Sequence, residues 1–213
     1  MDQKFKDTLK AAEAGDAEAQ SNLGWMYYNG DGVEQDFTEA LKWQTKAMEQ
    51  GIPNGQNRLG VMYREGNGVE QDFKEAFSLY EKAAKQGLPK AQTNLGVMYH
   101  NGEGVEQDSV KAVEWCAKGA EQNEPFSQLV FGLMYSEGDG VEQDYIEALK
   151  WYQKAAEQDE AGAQLNLGGM YQDGLGVEQD DKEAVKWYRK AAEQGLPEAQ
   201  RCIGWMYYNG EGV

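Results

Sequence analysis

The chain has 213 residues, 37 acidic against 20 basic side chains, a formal net charge of −17 and a pI near 4.4. Such a field repels phosphate backbones and anionic lipid surfaces, which excludes nucleic-acid and membrane-surface binding and makes a basic protein or peptide the natural complement. With 40% hydrophobic residues, among them 6 Trp, 12 Tyr and 6 Phe, the chain is not short of core material, and no apolar run is long enough to span a bilayer.

The first fifteen residues, MDQKFKDTLKAAEAG, form a polar segment without the apolar stretch of a secretory leader. With only Cys116 and Cys202, they point to a reduced, cytoplasmic setting, or to the periplasm if a leader once preceded this segment. Residues 1–15 are expected to be a capping helix. Aligned on the later repeats they place Asp7 where Trp43 and Trp151 stand, a polar substitution suited to a solvent-facing end.

From there the chain repeats itself. GVEQD recurs at Gly32, Gly68, Gly104, Gly140 and Gly176, always at an interval of 36 residues, and a further copy, preceded by Gly210-Glu211, starts at Gly212 and stops at Val213. Counted from the Leu-Gly pair, repeats cover 23–58, 59–94, 95–130, 131–166 and 167–202, with a partial repeat at 203–213, all in one domain over 1–213. A period of this length is the mark of a solenoid, in which each unit is too small to bury its own face and must stack on its neighbours.

Within a repeat, the first helix carries apolar or small residues on one face, as in Ala91, Leu95, Met98 and Tyr99. The glycine after the Leu, repeated from Gly24 to Gly204, costs about 1 kcal/mol in a helix interior, so a neighbouring helix is expected to pass too close for a Cβ. A Gly-x-Gly turn ends this helix, its first glycine sitting where a left-handed C-terminal residue belongs. Asp36, Asp72, Asp144 and Asp180, each followed three residues later by Glu39, Glu75, Glu147 or Glu183, have capping-box spacing and start the second helix. In the third repeat Lys111 replaces that Glu after Asp108, which predicts a weaker cap. The second helix has its own stripe, exemplified by Ala148, Trp151, Tyr152 and Ala155, and a proline soon after it (Pro53, Pro89, Pro197) stops continuation. Asn123-Glu124-Pro125 and Asp159-Glu160-Ala161 replace Gly-Leu-Pro, predicting altered packing angles there. The count is about twelve helices, the last of them without a partner.

The whole pattern, Ala-Gln-x-x-Leu-Gly-x-Met-Tyr-x-x-Gly-x-Gly-Val-x-Gln-Asp followed by Glu-Ala-x-x-Trp-Tyr-x-Lys-Ala-Ala-Glu-Gln-Gly-x-Pro, spans Ala91–Pro125 and its sister copies over about residues 16–213. It resembles the Sel1-like repeat family, relatives of the tetratricopeptide repeats. The resemblance implies an all-α fold, with αα pairs stacked into a right-handed superhelix. It also implies a bacterial adaptor or scaffold, tied to envelope, secretion or host-contact processes. A cysteine-rich branch with penicillin-type ligand binding needs a Cys pair in each repeat, and this chain has two cysteines altogether.

No catalytic, metal or cofactor site is expected. Gly-x-Gly follows a helix, not a strand, and lacks both the third glycine and a Walker lysine, so it reads as a structural turn. His100 has no second histidine, and the carboxylates recur once per repeat as caps or solvated faces. The informative residues are those that vary while the frame repeats. By tetratricopeptide analogy, positions 3 and 6 of the first helix line a concave groove. Partner-binding candidates are Trp25, Val61, Val97, Leu133 and Trp205 at position 3, with Tyr28, Arg64, His100, Ser136, Gln172 and Tyr208 at position 6. Leu129 joins them one turn earlier, on the face shared by Asn57, Thr93 and Leu165. The expected function is an adaptor holding a partner peptide or protein surface in that groove. The alternative is a small acidic inhibitor of a basic enzyme, in the manner of an immunity protein or antitoxin. Self-association through the unpartnered last helix is a further expectation.

Overall fold

The computed structural model describes residues 2–212 and contains twelve α-helices with no strand among them. They are α1 (Gln3–Glu13), α2 (Ala17–Asn29), α3 (Phe37–Glu49), α4 (Pro53–Glu65), α5 (Phe73–Lys85) and α6 (Pro89–Asn101). After these come α7 (Ser109–Ala120), α8 (Pro125–Glu137), α9 (Tyr145–Ala156), α10 (Ala161–Asp173), α11 (Asp181–Glu193) and α12 (Pro197–Asn209). The chain divides into two compact units, Met1–Ala112 and Val113–Val213, the division falling inside α7. In both, consecutive helices pack pairwise: α2 on α3 and α4 on α5 in the first unit, α8 on α9 and α10 on α11 in the second. This is the expected all-α solenoid of helix-turn-helix repeats.

Each predicted face is buried. Ala91, Leu95 and Met98 are inaccessible on α6, as are Ala163 and Leu167 on α10. On the second helices the alanines go fully inside and the tyrosine goes with them: Tyr80, Tyr152 and Tyr188 are nearly inaccessible, while Trp151 and Trp187 stay half-buried. Burial resists forming phenolate, so the Tyr152 hydroxyl is pushed up to about 12 and those of Tyr80 and Tyr188 are raised as well. In the unfolded chain these groups ionise near their ordinary value of about 10. The folded state therefore keeps protons that the unfolded state sheds, and stability is full below about pH 10 and falls as the pH rises above it. Tyrosinate absorbance should show these three phenols ionising late and together with loss of helical signal. A single titration of all twelve tyrosines with helices intact would contradict this burial.

The turns behave as expected at their first glycine: Gly30, Gly66, Gly102, Gly138, Gly174 and Gly210 end their helices in left-handed conformation. The second glycine is constrained twice over. Gly68 has φ +75°, and a Cβ there would stand 2.6 Å from the Phe37 carbonyl oxygen, at the start of the preceding repeat's second helix. The Gly-x-Gly is thus a stacking device. In four of the turns a following glutamine pins it: Gln35, Gln71, Gln107 and Gln143 donate to the carbonyls of Tyr28, Arg64, His100 and Ser136.

Two expectations about the caps change. Asp36, Asp72, Asp144 and Asp180 do cap, each accepting two amide bonds in the first turn. The reciprocal half of the box does not form, because the Asp amide is already donated to a tyrosine carbonyl of the preceding helix, Asp36 to Tyr27 and Asp72 to Tyr63 at 2.9 Å. The Glu instead pairs along its own helix, Glu39 with Lys42 and Glu183 with Lys186. The third repeat accordingly lacks nothing: Asp108 accepts from the Lys111 amide at 3.0 Å and pairs with its Nζ at 3.0 Å. Asn123 and Asp159 keep the turn conformation of the glycines they replace. Both adopt φ 61°, the left-handed state that Gly51, Gly87 and Gly195 hold elsewhere, and short polar side chains tolerate it. The Glu that follows each becomes a side-chain N-cap, Glu124 to the Ser127 amide and Glu160 to that of Ala163.

Candidate functional site

The helix faces carrying positions 3 and 6 differ in content between the two units. In the first unit, α2 presents Trp25 and Tyr28 as a stacked pair, ring centroids 4.6 Å apart and 4° from parallel. The Arg58 guanidinium of α4 lies 5.4 Å over the Trp25 ring and donates to Ser21 Oγ at 2.9 Å and Asn22 Oδ1 at 3.0 Å. The Tyr28 hydroxyl bonds Glu65 and accepts from Asn67 at 2.9 Å, and its ring packs edge-on against Phe37. One repeat on, Arg64 forks onto Glu103, Nε to Oε2 at 2.6 Å and Nη2 to Oε1 at 3.2 Å. That guanidinium holds the Glu103 carboxyl below the usual range. Val61, Val97 and His100 are half-buried on the same helix positions. Asn57, one turn earlier, is buried and accepts from Asn94.

In the second unit Leu133 and Ser136 come together in the wall of a cavity of about 380 Å³, whose lining also includes Leu165, Gly169, Met170, Leu175, Tyr152, Tyr188, Glu137 and Asp173. Ser136 turns inward, donating to the Leu133 carbonyl at 3.0 Å and meeting the Tyr152 hydroxyl at 3.1 Å. Gln172 is held away from that wall, its Oε1 accepting from the Tyr188 hydroxyl at 2.8 Å. It lines instead a separate cleft with Arg201, Cys202 and Trp205. Leu129 packs against the core around Leu167 and Tyr152. Trp205 and Tyr208 are 50% and 89% exposed on α12, which packs on α11.

Two contributors were not singled out from the sequence. Arg58 sits one turn before position 3, and its partners, Ser21 and Asn22, lie one repeat back at the same turn, so only the inter-repeat register reveals the contact. Gly169 occupies position 3 and matters through the space it leaves. The tryptophans of the second helices are covered by lysines one turn on: Lys46 over Trp43, Lys118 over Trp115, Lys154 over Trp151 and Lys190 over Trp187, at 3.9–4.3 Å. Cys116 is buried, and that burial pushes its thiol up to about 12. Among the described residues no cluster of His, Cys, Asp or Glu could hold a metal ion, and no helix is long and apolar enough to cross a membrane.

Sel1 repeat models match residues 17–52, 53–88, 89–124, 126–160, 161–196 and 197–213, nearly the whole chain. No curated protein matches it. Among solved structures, a protective antigen of uropathogenic Escherichia coli with this repeat fold is 44% identical over 98% of the chain, with a TM-score of 0.77. The chain spans 45% of that protein's length. A Sel1 repeat protein from Oxalobacter formigenes is 32% identical, covering 97% of this chain and 91% of its own, with a TM-score of 0.81. An immunity protein from Pseudomonas aeruginosa, Pa5087, shares the fold at 24% identity over 91% of this chain and 74% of its own, TM-score 0.68. With six repeats matched, and with the turns, glycines and caps of each in place, the chain belongs to the Sel1 repeat family.

Proposed function

We propose that this protein is a non-catalytic adaptor that binds a partner protein or peptide along the first-helix face of its repeats. Repeats of this family generally mediate protein–protein interaction and typically serve as scaffolds without enzymatic activity. The observation that carries the reading is the contrast between columns. Positions that recur are consumed in packing, whereas positions 3 and 6 vary and place Trp25, Tyr28 and Arg64, with Arg58 one turn earlier, at a partly accessible surface. Aromatic and arginine side chains in such settings are the usual anchors of interfaces. The lysines over the second-helix tryptophans make the other face a poorer hydrophobic anchor.

The net charge of −17 favours a basic partner and a salt-sensitive encounter. It also supports the second reading, an acidic inhibitor that neutralises a basic enzyme; the Pseudomonas immunity protein is similar in fold only. The test is capture of a partner by wild type and by the Trp25→Ala, Tyr28→Ala, Leu133→Ala triple variant at low and high salt. A basic partner lost in the variant and weakened by salt is the expected outcome. A partner held equally by both proteins at both salt concentrations sinks the assignment of this face. Sedimentation of the same samples tests self-association through the exposed Trp205 and Tyr208 of α12, which should disappear when both are changed to Ala.

A further inference from the structure

The repeats supply their own comparison for the cavity between α8 and α10. Shifted by three repeats, its lining residues Leu133, Ser136, Asn166, Gly169, Asp173 and Leu175 correspond to Trp25, Tyr28, Arg58, Val61, Glu65 and Asn67. In that first-unit position the space is filled from within the chain. Tyr28 reaches across from position 6 and bonds Glu65 and Asn67, while Arg58 lies over Trp25. One repeat later the position-6 side chain is again long and again ends on an acid of the next repeat, Arg64 on Glu103. Between α8 and α10 both fillers are missing. Position 6 is Ser136, whose hydroxyl is spent inside its own unit on Leu133 and Tyr152, Asn166 stands in place of Arg58, and the facing position 3 is Gly169 in place of Val61. What remains is an apolar wall of Leu133, Leu165, Met170 and Leu175. Asp173, the counterpart of Glu65, is left without an ion-pair partner among the described residues, and so is Glu137.

We propose that this cavity is a receptor for one arginine side chain of the partner segment, which takes the place that Tyr28 and Arg64 fill from within the chain elsewhere. The apolar wall suits the methylene stem, and the planar five-donor head can meet Asp173 and Glu137 at the rim. The proposal rests on the adaptor reading and narrows it to a basic partner with an arginine as its anchor.

The test uses the full chain, labelled with nitrogen-15 and titrated with acetyl-Gly-Arg-Gly-amide, against the citrulline peptide that keeps the shape and loses the charge. Saturable shifts at the amides of Ser136, Gly169 and Asp173 are expected with the arginine peptide only. Ser136→Arg, which copies the Arg64 arrangement, should abolish them. Asp173→Asn with Glu137→Gln, changes of equal shape at exposed positions, should weaken binding by roughly 10-fold, as for a hydrogen bond to a charged group. Equal shifts from both peptides, or shifts that survive Ser136→Arg, overturn the proposal. Applied to a captured partner, the variants separate the two claims. Loss with the triple alanine variant but not with Ser136→Arg removes the arginine receptor and leaves the adaptor face standing. Indifference to both removes the face itself.

Discussion

Gly168→Ala is expected to destabilise the second unit by about 2 kcal/mol, the cost of overpacking less the gain in helix propensity. The same change at Gly204 should instead stabilise by up to about 1 kcal/mol. The two glycines occupy the same repeat position and differ in what faces them. A Cβ on Gly168 would lie 2.6 Å from Cδ1, 2.7 Å from Cε1 and 3.1 Å from Cγ of Tyr188. That ring is held in place: it is 3% exposed, packed with Met206 and Val185, and its hydroxyl donates to Gln172. At Gly204, on α12, a Cβ meets nothing within 4 Å, so only the backbone entropy of the unfolded chain is affected. Urea unfolding of both variants checks this, and shifts of the same sign would defeat the close-approach account.

That contrast also marks how far the sequence could be read. The glycine column and its cause were legible, because a costly residue repeated inside a helix demands a near neighbour. Its partner column, Gln44, Tyr80, Tyr152 and Tyr188, was not, since a glutamine standing where tyrosines stand elsewhere does not announce a shared contact. The caps divide in the same way. Asp36 could be placed from local spacing, but the role of Glu39 could not, because a long-range bond from the Asp36 amide to the Tyr27 carbonyl takes the donor that the box would use.

The candidate face shows the same limit. Positions 3 and 6 could be chosen as the variable columns, and the side chains there are accessible to different degrees. What one repeat does to the next was hidden. Tyr28 finds Glu65 and Arg64 finds Glu103 across a separation of more than one repeat, and the opening beside Gly169 depends on Ser136 being short on the helix opposite. A space is a joint property of two columns, and neither column carries it alone.

The glutamines carry the strongest case of a joint property. Gln164 on α10 is inaccessible; it donates to the Ala156 carbonyl at the end of α9 at 3.2 Å and accepts from Gln194 at the end of α11 at 2.9 Å. One side chain thereby ties the end of α9, whose Ala156 carbonyl also accepts from the Asp159 amide, to the end of α11. Equivalent ladders join Gln20 to Gln50, Gln56 to Gln86 and Gln128 to Gln158. Gln164→Ala should therefore cost about 3 kcal/mol, combining a buried void with the loss of two side-chain hydrogen bonds. Gln164→Leu, which restores the volume but not the bonds, should recover only part of it. Gln200 on α12 is exposed and bonded only to the Ala192 carbonyl at 3.4 Å, so its Ala variant should change stability by no more than about 0.5 kcal/mol. Urea midpoints rank the three variants, and equal losses at Gln164 and Gln200 would show that the ladder adds nothing beyond the single carbonyl bond. The columns that hold the stack together are the ones that repeat, and this frees the intervening positions to differ from repeat to repeat, as recognition of a particular partner requires.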